Sequence, residues 1–538
     1  MRASNRQLER LDPFELKDRL IALAKARPGA AARGILNAGR GNPDWHALEP
    51  REALHVLGRF AIEEARRAAP AGGVGGVPRK RGIARRLRAF LAGEGRMPGA
   101  RFLRQALRFA ARRLHLDGDA LVHELVDGVC GDHYPEPVRM LPQAERIVRR
   151  YLEQELCGGR SRGGRLDLFA VEGVSAGVCY LFDSLVANGL LRRGDRIAVA
   201  VPIFSPYLEV PRLERYAFDV VCLHASELHA DGTHRWQYPD AEIDKLADPA
   251  VKALVLVNPS NPPSVALHPS TLARLVRLVR RRRPDLIIVT DDVYATFVEG
   301  FQSLLAALPR NTIGLYSFSK HFGCTGWRLG VVAIHEDNVL DARLRRRSSG
   351  RRYASLLLEP RRLKFIDRLV ADSRAIAFNH TAGLSTPQQV LMALLALFGM
   401  MAPGLGYKRV VRRVLQARLA ALYRGLGAAL PADPLRAGFY AELDLAAWGR
   451  QHHGPGFVRF LKRRHHPIDL LVALARRASV VLMPGASFGG PEWSVRVSLA
   501  NLPAACYRRI GEQLAAAARG YAEEWRRERR SGRRRRRG

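Results

Sequence analysis

Runs of five or six apolar residues recur through the middle of the chain, separated by stretches in which apolar residues follow the period of a helix. Six of these runs are strand candidates: 196–201, 218–223, 253–257, 286–290, 312–316 and 329–334. A strand that is apolar throughout is typical of a parallel sheet with both faces covered by helices. The pattern predicts an α/β fold with a mostly parallel sheet, flanked by helices, over about residues 126–387.

The segments on either side of this region predict different structures. One helix is predicted over 13–26 and a long one from Gln388 onward. Between them, residues 46–125 form a helix-rich segment that a glycine-rich turn at 71–78 interrupts. Short strand patterns at 438–444, 480–483 and 495–498 predict a smaller α/β unit. We therefore divide the chain into an N-terminal segment of the small domain (1–45), a helix-rich insertion (46–125), a large domain (126–387), a C-terminal small domain (388–520) and a tail (521–538).

Length and composition are those of a large protein with a substantial core. The chain has 538 residues, of which 47% are hydrophobic, enough for two domains or more. Since no run of about eighteen apolar residues occurs and the N-terminus lacks a signal-like apolar region, we expect a cytoplasmic protein. Six scattered cysteines, with no CxxC pair, predict reduced, packed thiols and no metal site.

The charge of the chain is unusually positive. Lysine and arginine number 87 against 51 acidic residues, a net charge of +36. Residues 526–538 hold nine arginines and one glutamate, so they account for +8 and leave +28 on the rest. Because like charges repel, we expect the tail to be disordered, and we expect the basic runs at 79–81 and 280–283 on solvated faces. No nucleic-acid-binding motif accompanies them, so the charge favours non-specific polyanion binding at most.

The segment that indicates chemistry is Ser317-Phe-Ser-Lys320, followed by Arg328. A lysine beside small hydroxylated residues, with an arginine eight positions later, suits a Schiff-base lysine next to a phosphate anchor. This is how pyridoxal 5'-phosphate is commonly held. The signal is weak alone, because arginine is abundant in this chain.

Two earlier segments strengthen that hypothesis. Asp291 and Tyr294 follow the buried strand 286–290, at the strand end where α/β sheets bind ligands. A carboxylate there can pair with a protonated pyridine nitrogen, although it could also cap the next helix. Asn261 lies in a proline-stiffened turn after the strand 253–257, where its amide can donate to the phenolate oxygen of the cofactor.

These three segments, in this order, resemble the fold-type I aminotransferases, a family of pyridoxal phosphate enzymes. Further segments resemble the aspartate 4-decarboxylase branch of that family, and they lie at 37–45, 131–135, 180–191, 379–389 and 491–501. The resemblance covers about residues 12–515. It implies the fold-type I architecture, bound pyridoxal phosphate and a homodimer or larger homo-oligomer.

The resemblance also implies roles for single residues toward the cofactor. Lys320 would form the Schiff base and remove the α-proton, while Asp291 would pair with the pyridinium nitrogen. Residues expected to contact the cofactor ring are Tyr294, Asn261 and Phe204. Residues expected to bind its phosphate are Val174, Ser175, Ser317, Arg328 and, from the neighbouring subunit, Tyr134. Val174 stands where the family has a smaller residue, so cofactor affinity is the property it would change.

On the substrate side, the resemblance implies that Arg496 holds the α-carboxylate of aspartate and that the backbone of Gly41 closes over it. Arg40 is our candidate for steering the side-chain carboxylate, although it could equally be one more surface arginine. A firm ion pair there would suit an aminotransferase, whereas a decarboxylase must release this group as neutral carbon dioxide.

The implied reaction is β-decarboxylation of L-aspartate to L-alanine and carbon dioxide, with aspartate aminotransferase activity as a side reaction. Two alternatives stay open at this point. One is an aspartate aminotransferase without decarboxylation, which would keep every cofactor residue. The other is an aminotransferase-like protein that binds nucleic acid or another polyanion through its basic surface.

Overall fold

The structure is a computed structural model of the 538-residue chain, and it describes residue 8 and residues 11–26, 34–70, 73–95, 97–159, 163–346, 363–376 and 383–535. Of the segments used above, residues 379–382 lie outside the described part.

A sheet of seven strands lies at the centre of the described structure. Its strands are β2 (Leu166–Glu172), β3 (Arg196–Val201), β4 (Asp219–His224), β5 (Val251–Val257), β6 (Ile287–Asp291), β7 (Thr312–Ser317) and β8 (Leu329–His335). Their order across the sheet is β2-β8-β7-β6-β5-β3-β4. Strands β4, β3, β5, β6 and β7 run parallel, and β8 runs antiparallel to both its neighbours. The predicted mostly parallel sheet is confirmed, and β2 is a strand that the apolar runs did not predict.

The register of the sheet brings chemical groups together. Val257 pairs with Asp291, and Asp291 pairs with Leu315, so β5, β6 and β7 end side by side. Every residue of β6, β7 and β8 is buried, as expected for strands covered on both faces. Polar residues placed just after these strands therefore meet at one edge of the sheet.

Helices accompany the sheet along the chain. They are α6 (Pro142–Leu156), α7 (Val174–Ala187), α8 (Pro206–Glu209), α9 (Asp240–Asp244), α10 (Pro269–Arg282), α11 (Leu304–Ala307), α12 (Val339–Arg345), α13 (Phe365–Ile376), α14 (Thr386–Met400) and α15 (Ala402–Leu426). Residues 389–400 of α14 are all buried, since this helix is apolar on every side. None of the described helices is by itself long and apolar enough to cross a membrane. Helices α14 and α15 reach that length and apolar content only when taken together, and the pair is bent by 83°.

The helix-rich segment ahead of the sheet forms four helices: α2 (Leu48–Arg67), α3 (Ile83–Gly93), α4 (Pro98–Leu114) and α5 (Gly118–Cys130). The predicted interruption falls between α2 and α3, with residues 71 and 72 outside the described part. His123 on α5 contacts the carbonyl of Pro78 at 3.1 Å, and Asp119 accepts from the amide of Gly82 at 2.7 Å. These contacts fix the loop to α5.

The N-terminal and C-terminal parts of the chain pack together. Helix α1 (Pro13–Lys25) precedes the short strand β1 (Leu36–Asn37), which pairs in parallel with β10 (Val480–Val481). Strand β12 (Ser494–Ser498) lies between β11 (Met483–Pro484) and β9 (Tyr440–Asp444), antiparallel to both. The remaining helices here are α16 (Leu445–His453), α17 (Pro455–Arg464) and α18 (Pro467–Ala478).

The last helix departs from the prediction of a disordered tail. Helix α19 spans Ala504–Arg535, so most of the segment 521–538 is helical. Tyr521, Ala522 and Trp525 pack against an apolar cluster that includes Phe457 of α17. The expectation of disorder considered only charge repulsion, whereas these apolar residues attach the helix to the protein just before the arginine-rich segment 526–538 begins.

Candidate active site

A cavity of about 500 Å³ opens where β5, β6 and β7 end. The start of α7, the loop 39–42 and strands β9 and β12 complete its wall. Of the thirteen residues that the sequence predicts for the site, twelve line this cavity: Arg40, Gly41, Val174, Ser175, Phe204, Asn261, Asp291, Tyr294, Ser317, Lys320, Arg328 and Arg496. The exception is Tyr134, which is 74% exposed in the single chain.

Lys320 lies in the turn after β7, and its amine faces the N-terminal segment. Its Nζ donates to the carbonyl of Gly41 at 3.0 Å. The indole of Trp45 donates to the carbonyl of Lys320 at 3.2 Å, and a Cβ on Gly323 would overlap the carbonyl of Trp45. The lysine turn is thus held directly against residues 41–45, which only a glycine at 323 allows.

Asp291 is the last residue of β6, and both its oxygens are bonded. Oδ2 accepts from the Tyr207 hydroxyl at 2.8 Å, and Oδ1 accepts from the Val293 amide at 3.1 Å. Burial raises the pKa of this carboxyl to about 6, so a cation beside it would hold it ionised. Asp292 points elsewhere: it accepts from Thr290 Oγ1 at 2.8 Å and is outside the cavity lining.

The opposite wall is suited to an anion. Gly173 caps α7 with φ +82°, and a Cβ there would overlap Arg328 Nη2, so a glycine lets the guanidinium reach the helix start. Amides at the start of a helix and an arginine together favour phosphate. Ser317 Oγ accepts from the Ser319 amide at 3.2 Å, while the buried Ser319 Oγ has no partner among the described residues. Val174 is the first residue of α7 and its side chain is buried.

Arg496 enters the cavity from β12. Its Nη2 donates to the carbonyl of Gly39 at 3.0 Å, and its Nη1 donates to Asn261 Oδ1 at 3.4 Å. The guanidinium carbon lies 4.3 Å from the ring centre of Phe488 and 4.7 Å from that of Tyr440. Its Nε is buried without a partner in the described structure. This partly paired cation can accept a carboxylate.

A buried acid lies next to Arg496. Glu442 on β9 is its direct cross-strand neighbour, and Glu442 Oε1 accepts from Ser494 Oγ at 2.7 Å. Burial raises the pKa of Glu442 to about 8, so this side chain is mostly neutral at pH 7. The charge of Arg496 is therefore left for a ligand rather than neutralised by the protein.

Several cavity residues were not predicted from the sequence: Lys17, Tyr207, Ser319, Tyr440, Met483 and Phe488. Tyr207 lies three residues after Phe204, which the sequence predicted for the site. This spacing could have indicated that both side chains line the same wall of the cavity. Tyr440 lies in a segment that the alternation of residues predicts only as a strand. Nothing in its sequence context indicates a polar role.

Comparison with known proteins places the chain in a family. Residues 152–514, more than half of the chain, match the family of class I and II aminotransferases. The chain belongs to this family. A bifunctional aspartate aminotransferase and L-aspartate beta-decarboxylase from Pseudomonas sp is 46% identical over 517 residues, which cover 95% of this chain and 96% of that protein. A 1-aminocyclopropane-1-carboxylate synthase 2 from Arabidopsis thaliana is 27% identical over 247 residues, which cover 41% of this chain and 48% of that protein.

Solved aminotransferase structures share the fold. An aspartate aminotransferase from Rhizobium meliloti has a TM-score of 0.57 at 16% identity, and the match covers 93% of this chain and 95% of that one. A Thermus thermophilus aspartate aminotransferase mutant has a TM-score of 0.54 at 18% identity, and the match covers 92% of this chain and 95% of that one. The predicted fold-type I architecture is confirmed.

Class I and II aminotransferases are pyridoxal phosphate enzymes, and the cavity fits that cofactor. The unpartnered Ser319 Oγ and the glycine that admits Arg328 to the start of α7 suit a phosphate. Asp291, at the end of β6, also lines the cavity, and its carboxylate could pair with a protonated ring nitrogen.

Proposed function

We propose that this chain catalyses the β-decarboxylation of L-aspartate to L-alanine and carbon dioxide, with a lower aspartate aminotransferase activity. The supporting observation is that Lys320, Asp291 and Arg496 line one cavity in a chain 46% identical, over 95% of its length, to an enzyme named for both activities. The rest of the cavity is consistent with a small dicarboxylic substrate, because it combines cationic and apolar walls.

Bound pyridoxal phosphate supplies an electron sink for the electron pairs that the α-proton and the β-carboxylate leave behind. Lys320 binds the cofactor and, once substrate has displaced it, takes the α-proton. Asp291 would stabilise the positive charge on the ring nitrogen, and Tyr294 and Asn261 would donate to the ring oxygen. Phe204 would pack against the ring.

The start of α7, with Val174 and Ser175, would hold the phosphate together with Ser317 and Arg328. Val174 contributes its backbone amide rather than its side chain, which faces the core. Since it is helical, its branched side chain does not strain the turn.

Substrate orientation follows from the charges of the wall. Arg496 binds the α-carboxylate in a two-pronged pair, beneath the backbone of Gly41. Arg40 directs the β-carboxylate from the more exposed side of the cavity, where water weakens the pair. A weak pair is an advantage, because a firmly paired carboxylate would resist leaving as neutral carbon dioxide.

The active form we propose is a homodimer or larger homo-oligomer, in which Tyr134 reaches the phosphate of the neighbouring subunit. Its 74% exposure in the single chain leaves the hydroxyl available for such a contact. The basic surface adds non-specific affinity for polyanions, which we regard as a property beside catalysis rather than the function.

Purified protein with pyridoxal phosphate and L-aspartate tests the proposal. Equimolar alanine and carbon dioxide, without added keto acid and abolished in Lys320→Ala, is the expected result. Turnover that requires 2-oxoglutarate and releases no carbon dioxide would instead assign a plain aminotransferase. Absence of both turnover and cofactor absorbance would favour the non-catalytic alternative.

A further inference from the structure

Tyr440 places a buried hydroxyl among the charged groups of the cavity. The residue is 3% exposed, starts β9 and lines the cavity. A Cβ on Gly41 would overlap the Tyr440 hydroxyl and would lie 3.6 Å from Lys320 Nζ. The hydroxyl and the Lys320 amine therefore lie on the same side of the cavity, next to the backbone that closes over the substrate.

The surroundings of this hydroxyl stabilise its ionised form. Tyr294 donates to it at 3.3 Å, and the Arg496 guanidinium carbon lies 4.7 Å from its ring centre. Burial alone would raise the pKa of Tyr440, but Lys320, Arg496 and the bond from Tyr294 outweigh burial and lower it. Tyr294 differs, because burial raises its pKa well above the ordinary value, so it is the weaker acid of the two.

The proposed reaction needs a proton at a second carbon. When the bond between the β-carbon and its carboxylate breaks, carbon dioxide leaves and its electron pair stays on the substrate, shared with the bound cofactor. Alanine forms only when a C–H bond is made at the β-carbon. Lys320 has delivered the α-proton by that stage, and its amine is needed again to protonate the α-carbon.

We propose that Tyr440 is the acid that protonates the β-carbon after carbon dioxide has left. This inference rests on the proposed decarboxylation. The Oη–H bond of Tyr440 breaks as the β-carbon–hydrogen bond forms. Arg496 and the hydrogen bond from Tyr294 stabilise the resulting phenolate, and a proton from water restores the phenol. The net reaction consumes one proton for each aspartate, as the balance of aspartate against alanine and carbon dioxide requires.

The experiment compares Tyr440→Phe with wild type in D2O, as holoenzyme, by NMR. Exchange of the α-hydrogen of aspartate reports proton removal by Lys320, and alanine formation reports the complete reaction. In Tyr440→Phe we expect exchange to stay close to wild type and alanine formation to fall about 100-fold or more, the usual effect of losing a general acid. In the first turnover, carbon dioxide should precede alanine.

Tyr207→Phe is the matched control, since it removes another buried cavity hydroxyl, one that is bonded to Asp291. It should lower exchange and alanine formation together. An equal loss of both rates in Tyr440→Phe would mean a structural role and overturn the inference. Unchanged alanine formation would also overturn it while leaving the proposed function standing, whereas wild type that releases no carbon dioxide would remove both.

A second readout uses the cofactor-free protein. Ultraviolet absorbance of tyrosinate, followed as pH rises, should show one early-ionising tyrosine in wild type that is missing in Tyr440→Phe. The same step should move to higher pH in Lys320→Gln, which lacks the neighbouring positive charge. An early step that persists in Tyr440→Phe belongs to another tyrosine and would contradict the proposal.

Discussion

Arg496 is a buried cation whose hydrogen bonds are incomplete until a ligand enters. Two of its nitrogens have partners, Gly39 and Asn261, and neither partner is charged. The acid beside it, Glu442, is mostly neutral because burial raises its pKa. We therefore expect a substrate carboxylate to complete both the charge balance and the hydrogen bonds of Arg496.

Arg496→Lys should lower kcat/KM for aspartate by about 30-fold or more, since losing a buried, two-pronged pair costs about 2–5 kcal/mol. Cofactor absorbance should be unchanged, because this side chain is on the substrate side. Steady-state kinetics at several aspartate concentrations measure the effect. Arg418→Lys is the control: Arg418 binds Asp44 and the Leu499 carbonyl outside the cavity, so it should affect thermal stability and leave KM near wild type.

Glu442 predicts a pH dependence of folding. Its pKa is 4.5 ordinarily and about 8 in the folded protein because of burial, so between these values the folded state holds a proton that the unfolded state has lost. Stability due to this group is therefore highest at low pH and falls as pH rises from 4.5 to 8. Glu442→Gln, which cannot ionise, should gain thermal stability over wild type as pH rises across this window. A difference in Tm that stays constant with pH would contradict the assigned pKa.

Single residues were predictable where chemistry requires a fixed order along the chain. Lys320, Asp291 and Asn261 each follow a buried strand, and parallel strands bring such residues to one edge. Tyr440 was not predictable, because its neighbours Gly41 and Lys320 are each more than a hundred residues away in sequence. A hydroxyl on a strand indicates a site only when its neighbours are known.

At the scale of elements, the start of α7 and the turn before β8 lie against each other, and we propose that they bind the cofactor phosphate as one unit. Gly173 and Gly330 lie against each other, and a Cβ on Gly330 would lie 2.7 Å from the carbonyl carbon of Gly173. This close approach lets Arg328 lie over the first turn of α7. The unit depends on backbone proximity, so it is sensitive to any side chain added there.

Gly173→Ala should weaken pyridoxal phosphate binding by about tenfold or more. The added Cβ displaces the Arg328 guanidinium, and a positive φ costs a non-glycine residue about 1–3 kcal/mol. Equilibrium titration followed by cofactor absorbance measures the affinity. Gly194→Ala separates the two causes, because Gly194 also has φ +82° but nothing lies within 4 Å of its added Cβ. Equal losses of affinity in both variants would show that strain, rather than Arg328, is responsible.

Helices and strands were predictable where their burial leaves a clear apolar pattern in the sequence. The segments that form β3, β5, β6, β7 and β8 are apolar because helices cover both faces of the sheet. Strand β2 begins Leu-Asp-Leu, and its buried Asp167 binds Lys364 at 2.7 Å, so a charge interrupts the apolar signal. Helix α19 was missed for the opposite reason, since its arginines obscure the apolar residues that attach it.

For the whole molecule, part of the positive charge is internal. Arg283, in a run expected on a solvated face, is 3% exposed and donates to the carbonyls of Leu246, Asp248 and Val251. Arg412 likewise donates to two carbonyls near the cavity, at Thr296 and Val298, and burial lowers its pKa. These arginines join segments of the chain together. The net charge of the chain is therefore larger than the positive charge that its surface presents to a binding partner.

A cluster of exposed positive charge lies at the end of α19. Arg526, Arg527, Arg529 and Arg530 are exposed, whereas Glu528 between them pairs with Arg463 and Arg464 of α17. Ala522 of this helix is buried, and Tyr521 and Trp525 are partly buried, in the cluster that includes Phe457 of α17. We expect the basic residues that follow to attract polyanions.

Deleting residues 526–538 should therefore lower the salt concentration at which the protein elutes from immobilised heparin, because it removes +8 of the +36 charge. Catalysis should be unchanged, since the segment is remote from the cavity lining, and stability should change little because exposed ion pairs contribute about 0–1 kcal/mol. Trp525→Ala, which loosens the attachment of the helix and keeps every charge, should elute with wild type. If the deletion also elutes with wild type, the polyanion affinity belongs to the body of the protein.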